Sequence, residues 1–95
     1  MDLKTIINQP QTTIVDVREP YEFAAGHANG AINIPVGSIM ARLDELRNSP
    51  KPIVLYCASG NRSGMAAAIL KANGIEEVYN GGGLHEMEYY LAATA

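Results

Sequence analysis

One cysteine, Cys57, opens a polar run whose residue types and spacing suit a nucleophilic sulfur: Cys57-Ala58-Ser59-Gly60-Asn61-Arg62-Ser63. The four residues before it are apolar and favour a β-strand, and residues 65–73 after it favour a helix. A loop between a strand and a helix directs backbone N–H groups and a helix N-terminus towards one point, where they stabilise negative charge. The same surroundings lower the pKa of a thiol, and the thiolate is its reactive form. The run therefore predicts nucleophilic chemistry at Cys57.

The rest of the sequence alternates between predicted strands and helices. Strands are predicted over 13–17, 31–34, 53–56 and 77–80, and helices over 2–7, 21–25, 38–46, 63–73 and 84–92. Ser38 is the predicted cap of its helix, and the glycines at 81–83 are predicted to form a turn. This alternation indicates an α/β fold with a parallel sheet covered on both faces, in which ligands bind beyond the carboxyl ends of the strands. Cys57, Arg18 and Asn80 all fall at such ends.

Length and charge narrow the possible roles. Ninety-five residues suit one domain, over 1–95, and a net charge of −3 without a Lys/Arg cluster argues against nucleic-acid binding. One cysteine cannot form an internal disulfide, and with two histidines it makes too few ligands for a typical structural zinc site. The start of the chain lacks a signal-peptide pattern, and no apolar run approaches the ~20 residues that span a membrane. We expect a cytoplasmic monomer without a membrane partner.

Three motifs in order carry a resemblance to a known family. They are Asp16-Val17-Arg18-Glu19-Pro20-Tyr21-Glu22-Phe23 with the following Gly26-His27 and Gly30-Ala31-Ile32-Asn33-Ile34-Pro35, then the Cys57 run, then Gly82-Gly83. Together they resemble the single-domain rhodanese-type sulfurtransferases, and among these the small thiosulfate sulfurtransferases of the phage-shock-protein-E type. The sequence departs from the family in two places. Met87 stands near the position where many members have a tryptophan, and a helix is predicted where many begin with a short strand.

The resemblance implies a rhodanese-like three-layer α/β/α fold with four to five parallel strands, and a double-displacement reaction. Cys57 as a thiolate attacks the outer sulfur of thiosulfate, sulfite leaves, and a persulfide remains. Cyanide or a thiol, including a protein thiol, then removes the sulfur. The donor is expected to be bound by the rest of the loop and by one earlier arginine, with no metal or other cofactor: Ala58, Ser59, Gly60, Asn61, Arg62, Ser63 and Arg18.

Several of these residues have a second interpretation. Arg62 binds the donor anion or is a surface residue at a helix start, and Arg18 reaches the pocket or pairs with Glu19 or Glu22. Ser59 bonds the substrate or only its own loop, and Ser63 is expected to cap the helix rather than to contact substrate. Two polar residues elsewhere are expected to be structural rather than catalytic: Asp16 and His27.

Two other functions compete with thiosulfate sulfur transfer. One is a sulfur-relay or persulfide-binding module, with another protein as donor or acceptor. The other is a small cysteine phosphatase or arsenate reductase. Arg62 stands five positions after Cys57, whereas the related phosphatases place this arginine one position later, in a wider ring that surrounds a phosphate. The shorter ring favours a sulfane sulfur.

Overall fold

The computed structural model describes residues 1–92, and four parallel strands lie at its centre. They are β1 (Thr13–Asp16), β2 (Ile32–Asn33), β3 (Ile53–Cys57) and β4 (Val78–Gly83). In the sheet they lie in the order β2-β1-β3-β4, and every neighbouring pair is parallel. All five residues of β3 are buried, because this strand has a neighbour on each side and helices above and below. The predicted parallel sheet is confirmed, with four strands.

Helices cover both faces of the sheet. They are α1 (Leu3–Ile7), α2 (Pro20–Ala25), α3 (Leu43–Arg47), α4 (Asn61–Ala72) and α5 (Leu84–Ala92). Successive side chains of a strand point to opposite faces. Ile53, Leu55 and Cys57 accordingly share a buried cluster with α4 and the end of α3. Val54 and Tyr56 lie in the opposite cluster with α1 and α5. The three-layer arrangement predicted by the resemblance is therefore confirmed.

The helix ends near the sheet follow ordinary capping rules. Asp2 Oδ1 accepts a hydrogen bond of 2.9 Å from the Thr5 N–H at the start of α1. Helix α2 begins with Pro20, and Glu19 and Glu22 form a reciprocal capping box around its first turn. This capping box fixes the Glu22 side chain close to the backbone.

Two predicted elements differ from the structure. The expected helix over 38–46 is two short 3₁₀ turns, 36–38 and 40–42, followed by α3. The backbone of Arg42, with φ −118° and ψ 24°, interrupts the helical path there. Met40 is 60% exposed while Ile39 and Leu46 are buried, so the apolar residues do not form one helical face.

The glycines at 81–83 are not a turn. They continue β4, and the register between β3 and β4 shifts by one residue after the pair Leu55–Asn80. The extra residue is Gly81, a β-bulge that brings Gly83 beside Cys57. Within residues 1–92, no helix has the length and apolar character needed to cross a bilayer.

Candidate active site

Cys57 is the last residue of β3, and its thiol lies beneath the loop that follows. The residue is fully buried. Its Sγ accepts a hydrogen bond of 3.0 Å from the Gly60 N–H and lies 3.4 Å from the Ser63 hydroxyl. Gly60 has φ 96° and ψ −9°, in the left-handed region where a side chain is strained, and it is the N-cap of α4. The loop therefore turns back at Gly60 so that the helix begins directly over the sulfur.

These contacts change the acidity of the thiol. Burial by itself raises the pKa of Cys57. Hydrogen bonds from the Ser63 hydroxyl and from the N–H groups of Ser63, Ser59 and Gly60 outweigh burial and lower the pKa from 9.0 to about 7. A thiol with this pKa is about half ionised at neutral pH. The loop therefore places hydrogen-bond donors around the sulfur, where they stabilise a thiolate.

Ser63 does not cap the helix, contrary to what the sequence predicts. Helix α4 begins at Asn61, two residues earlier than predicted, so Ser63 lies within its first turn and does not cap it. The left-handed Gly60 is the reason, because it starts the helix immediately after the turn. The buried Ser63 hydroxyl instead lies 2.7 Å from Asn80 Oδ1 and 3.4 Å from Cys57 Sγ. Since a hydroxyl has one hydrogen, it donates to one of the two at a time.

Asn80 fixes the loop from the neighbouring strand, a role that sequence reasoning missed. Its Nδ2 donates to the Gly60 carbonyl at 3.0 Å, while its Oδ1 accepts from the Gly82 N–H at 3.0 Å and from the Ser63 hydroxyl. These partners define the orientation of the amide, because a carbonyl only accepts and an N–H only donates. The sequence signal was its position at the end of the strand predicted over 77–80. In the structure Asn80 lies within β4, directly before the bulge at Gly81.

The glycines of β4 allow the strand to pass close beneath the loop. A Cβ on Gly83 would collide with the Ala58 carbonyl oxygen, and a Cβ on Gly81 would lie 2.6 Å from Met87 Sδ. Met87 is fully buried. Close approach of β4 to the Cys57 loop thus requires residues without side chains.

Arg62 forms a partly exposed ion pair with Glu22. Its Nη1 lies 2.7 Å from Glu22 Oε1 and its Nη2 lies 3.1 Å from Glu22 Oε2. Hydrogen bonding to Glu22 raises the pKa of Arg62, and a smaller effect comes from the nearby Cys57 thiol. The same hydrogen bonds lower the pKa of Glu22 from 4.5 to about 2. In the sequence Arg62 stands between Gly60 and Ser63, which both contact the Cys57 sulfur, and its carboxylate partner comes from α2, which the sequence did not reveal.

Arg18 is buried in a second ion pair. Its Nη2 lies 2.6 Å from Asp16 Oδ2 and 2.8 Å from the Gly26 carbonyl. The hydrogen bond to Asp16 raises the pKa of Arg18. The partner is thus Asp16, rather than Glu19 or Glu22 as the sequence suggested.

A tyrosine completes this buried network. The Tyr56 hydroxyl donates to Asp16 Oδ2 at 2.8 Å and accepts from the Ala28 N–H at 2.9 Å. Burial raises the pKa of Tyr56 to about 12. Since Tyr56 and Arg18 both hold the segment that follows α2, the network positions α2 against the sheet.

The remaining predicted site residues lie on the outside of the loop. Ala58, Ser59 and Asn61 are exposed. His27 is also exposed; its ring stacks on Phe23 at 3.7 Å, and its Nδ1 lies 2.9 Å from the Phe23 carbonyl oxygen. The roles of the loop residues in donor binding stay predictions.

Other features of the described residues lie apart from the loop. Clefts of about 320 and 220 Å³ adjoin Glu77 and Tyr79, near the start of β4, and neither includes a residue of the Cys57 loop. Within residues 1–92, no group of three or more His, Cys, Asp or Glu side chains is arranged to hold a metal ion.

Comparison with known proteins identifies the family. A family model described as the rhodanese-like domain matches residues 1–87. The chain therefore belongs to the rhodanese-like domain family. Sulfur transfer is the class of reaction that this membership supports.

Curated relatives include longer proteins. The uncharacterized protein YqhL of Bacillus subtilis is 49% identical over 67 residues, which are 70% of this chain and 52% of YqhL. The tRNA uridine(34) hydroxylase of Buchnera aphidicola is 34% identical over 83 residues, which are 82% of this chain and 27% of that protein. The chain thus spans about half of the first relative and about a quarter of the second.

Solved structures show the same fold. A rhodanese with anions from E. coli is 35% identical, with a TM-score of 0.71 over 79% of this chain and 89% of the other. The human single-domain sulfurtransferase TSTD1 is 27% identical, with a TM-score of 0.73 over 92% of this chain and 88% of the other.

Proposed function

We propose that this protein is a thiosulfate sulfurtransferase in which Cys57 carries the sulfur. The observation that carries the proposal is the Cys57 thiol at the end of β3, where the Ser63 hydroxyl and backbone N–H donors together lower its pKa to about 7. A thiolate at neutral pH attacks sulfur, and the same donors stabilise the anionic terminal sulfur of a persulfide. The relation to solved rhodanese and sulfurtransferase structures supports this choice.

The reaction balances in two steps. The Cys57 thiolate forms a bond to the outer sulfur of thiosulfate, the sulfur–sulfur bond of thiosulfate breaks, and sulfite leaves with its electron pair. Cyanide or a thiol then attacks the outer persulfide sulfur and regenerates the thiolate, which gives thiocyanate or a new persulfide. The chain has no second cysteine, so the acceptor comes from outside it.

The experiment is an intact mass measurement under non-reducing conditions before and after thiosulfate is added. We expect a gain of one sulfur atom that cyanide or a thiol reverses and that is absent in Cys57→Ser. The variant replaces Sγ by an oxygen of similar size, so its circular dichroism is expected to match that of the parent. A protein that gains no sulfur from thiosulfate would refute the proposal.

A second candidate is a sulfur-relay module that receives sulfur from a protein persulfide. One observation favours it: both arginines predicted to bind the donor have carboxylate partners, Arg62 with Glu22 and Arg18 with Asp16. Because each pair is neutral overall, neither provides net positive charge that would attract a dianionic donor. Slow loading by thiosulfate together with rapid loading by a persulfidated protein would favour the relay. Hydrolysis of an aryl phosphate that depends on Cys57 would instead indicate a phosphatase.

The proposal includes a cytoplasmic location and a monomeric state. A free thiol with a pKa near 7 stays reduced best in a reducing compartment, which supports the cytoplasmic location. Sedimentation at several protein concentrations tests the second, and an increase in mass with concentration would contradict it.

A further inference from the structure

Glu22 lies where its charge can change the attraction of the Cys57 loop for an anion. It belongs to α2, and its partner Arg62 belongs to the first turn of α4, 40 residues later in the chain. The two side chains meet in parallel hydrogen bonds of 2.7 and 3.1 Å, and 32% of Arg62 and 21% of Glu22 remain exposed. Two parallel bonds fix the guanidinium in one plane. The pair is therefore ordered and still open to an arriving small anion.

The Glu22 carboxylate is held from two sides. Its Oε1 also accepts the Glu19 N–H at 3.0 Å, as part of the capping box of α2. The segment after α2 is in turn bound by Arg18 at the Gly26 carbonyl and by Tyr56 at the Ala28 N–H. Glu22 is therefore anchored to the sheet independently of Arg62.

The charge balance at the loop follows from this pair. Arg62 belongs to the first turn of α4, between Gly60, whose N–H donates to Cys57 Sγ, and Ser63, whose hydroxyl lies 3.4 Å from that sulfur. A cation near the sulfur attracts a negatively charged donor, and a carboxylate bonded to that cation offsets the attraction. The offset grows with the charge of the donor, so it is twice as large for a dianion as for a monoanion.

We propose that Glu22 is a specificity-determining residue that, by neutralising Arg62, disfavours dianionic sulfur donors relative to donors of lower charge. The inference rests on the proposed function and names a substrate class for it. Glu22 acts through Arg62 and does not touch the reacting sulfur, so it is a positioning residue.

The test compares two donors that react by the same bond changes. With thiosulfate, a dianion, the Cys57 thiolate takes the outer sulfur and sulfite leaves. With methanethiosulfonate, a monoanion, it takes the outer sulfur and methanesulfinate leaves. Both reactions leave the same persulfide. A change in the acidity of Cys57 alters the thiolate available to both donors equally, so the ratio of the two rate constants reports donor charge.

The variant is Glu22→Gln, which removes the charge and keeps an oxygen that accepts the Glu19 N–H. We measure the second-order rate constants of persulfide formation by rapid quench and intact mass. We expect the thiosulfate-to-methanethiosulfonate ratio to rise about threefold to tenfold, because the second charge of thiosulfate gains one additional attraction. The increase is expected to shrink at high salt.

Two controls accompany it. Glu45→Gln breaks another Arg–Glu pair, with Arg42, at 2.9 Å on the surface of α3, and is expected to leave the ratio unchanged. The double variant Glu22→Gln/Arg62→Gln restores a neutral pair and is expected to return the ratio close to that of the parent.

An unchanged ratio in Glu22→Gln, with both donors still loading Cys57, would overturn the inference and leave the proposed function intact. A ratio that stays raised in the double variant would also overturn it, because Glu22 would then act without Arg62. Failure of the parent protein to accept sulfur from thiosulfate would refute the proposed function, and failure with both donors would refute the inference as well.

Discussion

Removing the Ser63 hydroxyl tests what sets the acidity of Cys57. In Ser63→Ala the thiolate keeps the N–H donors of Ser59, Gly60 and residue 63, and loses only the hydroxyl, which contributes the largest of the pKa-lowering hydrogen bonds. Alanine suits a helix interior and is smaller than the buried serine, so we expect α4 to persist. The pKa of Cys57 should therefore rise.

The magnitude follows from the hydrogen bond. A bond to a charged acceptor contributes about 1.5–3 kcal/mol, and 1.36 kcal/mol corresponds to a pKa change of one. The bond is long at 3.4 Å and shares its hydrogen with Asn80. We therefore take the lower end and expect a pKa near 8 instead of about 7. The thiolate fraction at pH 7 would then fall from about half to about a tenth.

The higher pKa also makes each thiolate more reactive. A Brønsted slope of about 0.4–0.5 gives roughly a threefold gain in nucleophilicity. Alkylation of Ser63→Ala by iodoacetamide should thus be about twofold slower at pH 7 and about threefold faster at pH 10 than that of the parent. The rate is measured by intact mass across this pH range.

Ser59→Ala is the matched control, because Ser59 contributes only its backbone N–H to the thiolate and its side chain is exposed. Its pKa profile should match that of the parent. If Ser63→Ala kept a Cys57 pKa near 7, the backbone donors alone would account for the acidity, and the role assigned to the hydroxyl would be refuted.

Three further predictions concern the surroundings of the site. Tyr56→Phe leaves the buried Ala28 N–H without its acceptor, so urea unfolding should show a loss of about 1–3 kcal/mol, whereas an unchanged midpoint would contradict the network. Gly81→Ala should lose about 1–3 kcal/mol in the same assay because its Cβ meets packed atoms, while Gly37→Ala, with open space around it, should lose less than half as much; equal losses would refute the packing argument. The depressed pKa of Glu22 means that its ion pair stabilises the fold fully above about pH 4.5 and loses this effect as the pH falls towards 2; the stability difference between the parent and Glu22→Gln should follow that course, and a constant difference would contradict it.

Much of the fold could be predicted because its signals are local. The β-branched run before Asp16 and the apolar run before Cys57 are buried strands, as predicted, and Asp2 caps the first helix. The prediction of one helix over 38–46 was wrong, because apolar spacing alone does not show that the backbone leaves the helical path at Arg42. The prediction of a turn at 81–83 was wrong for a related reason, since glycine is typical of turns and also of strands that pass close to another backbone.

Ion-pair partners in the site were not predictable in the same way. Sequence proximity suggested Glu19 or Glu22 for Arg18, yet its carboxylate is Asp16, and Glu22 pairs with an arginine 40 residues away. Acidic side chains look alike in a sequence, and only the packing of α2 against α4 decides which one reaches a given cation.

The sequence by itself determined that a lone cysteine ends a buried strand and begins a loop of N–H donors, because strand pattern, glycine and helix start are all set within a few residues. Tertiary structure alone decided what surrounds that sulfur. Asn80 holds the loop from β4, Ser63 turns inward rather than capping a helix, and Glu22 offsets the charge of Arg62. The reason is that hydrogen bonds and ion pairs act over a few ångströms in space, and distances between elements are fixed only when the helices pack on the sheet.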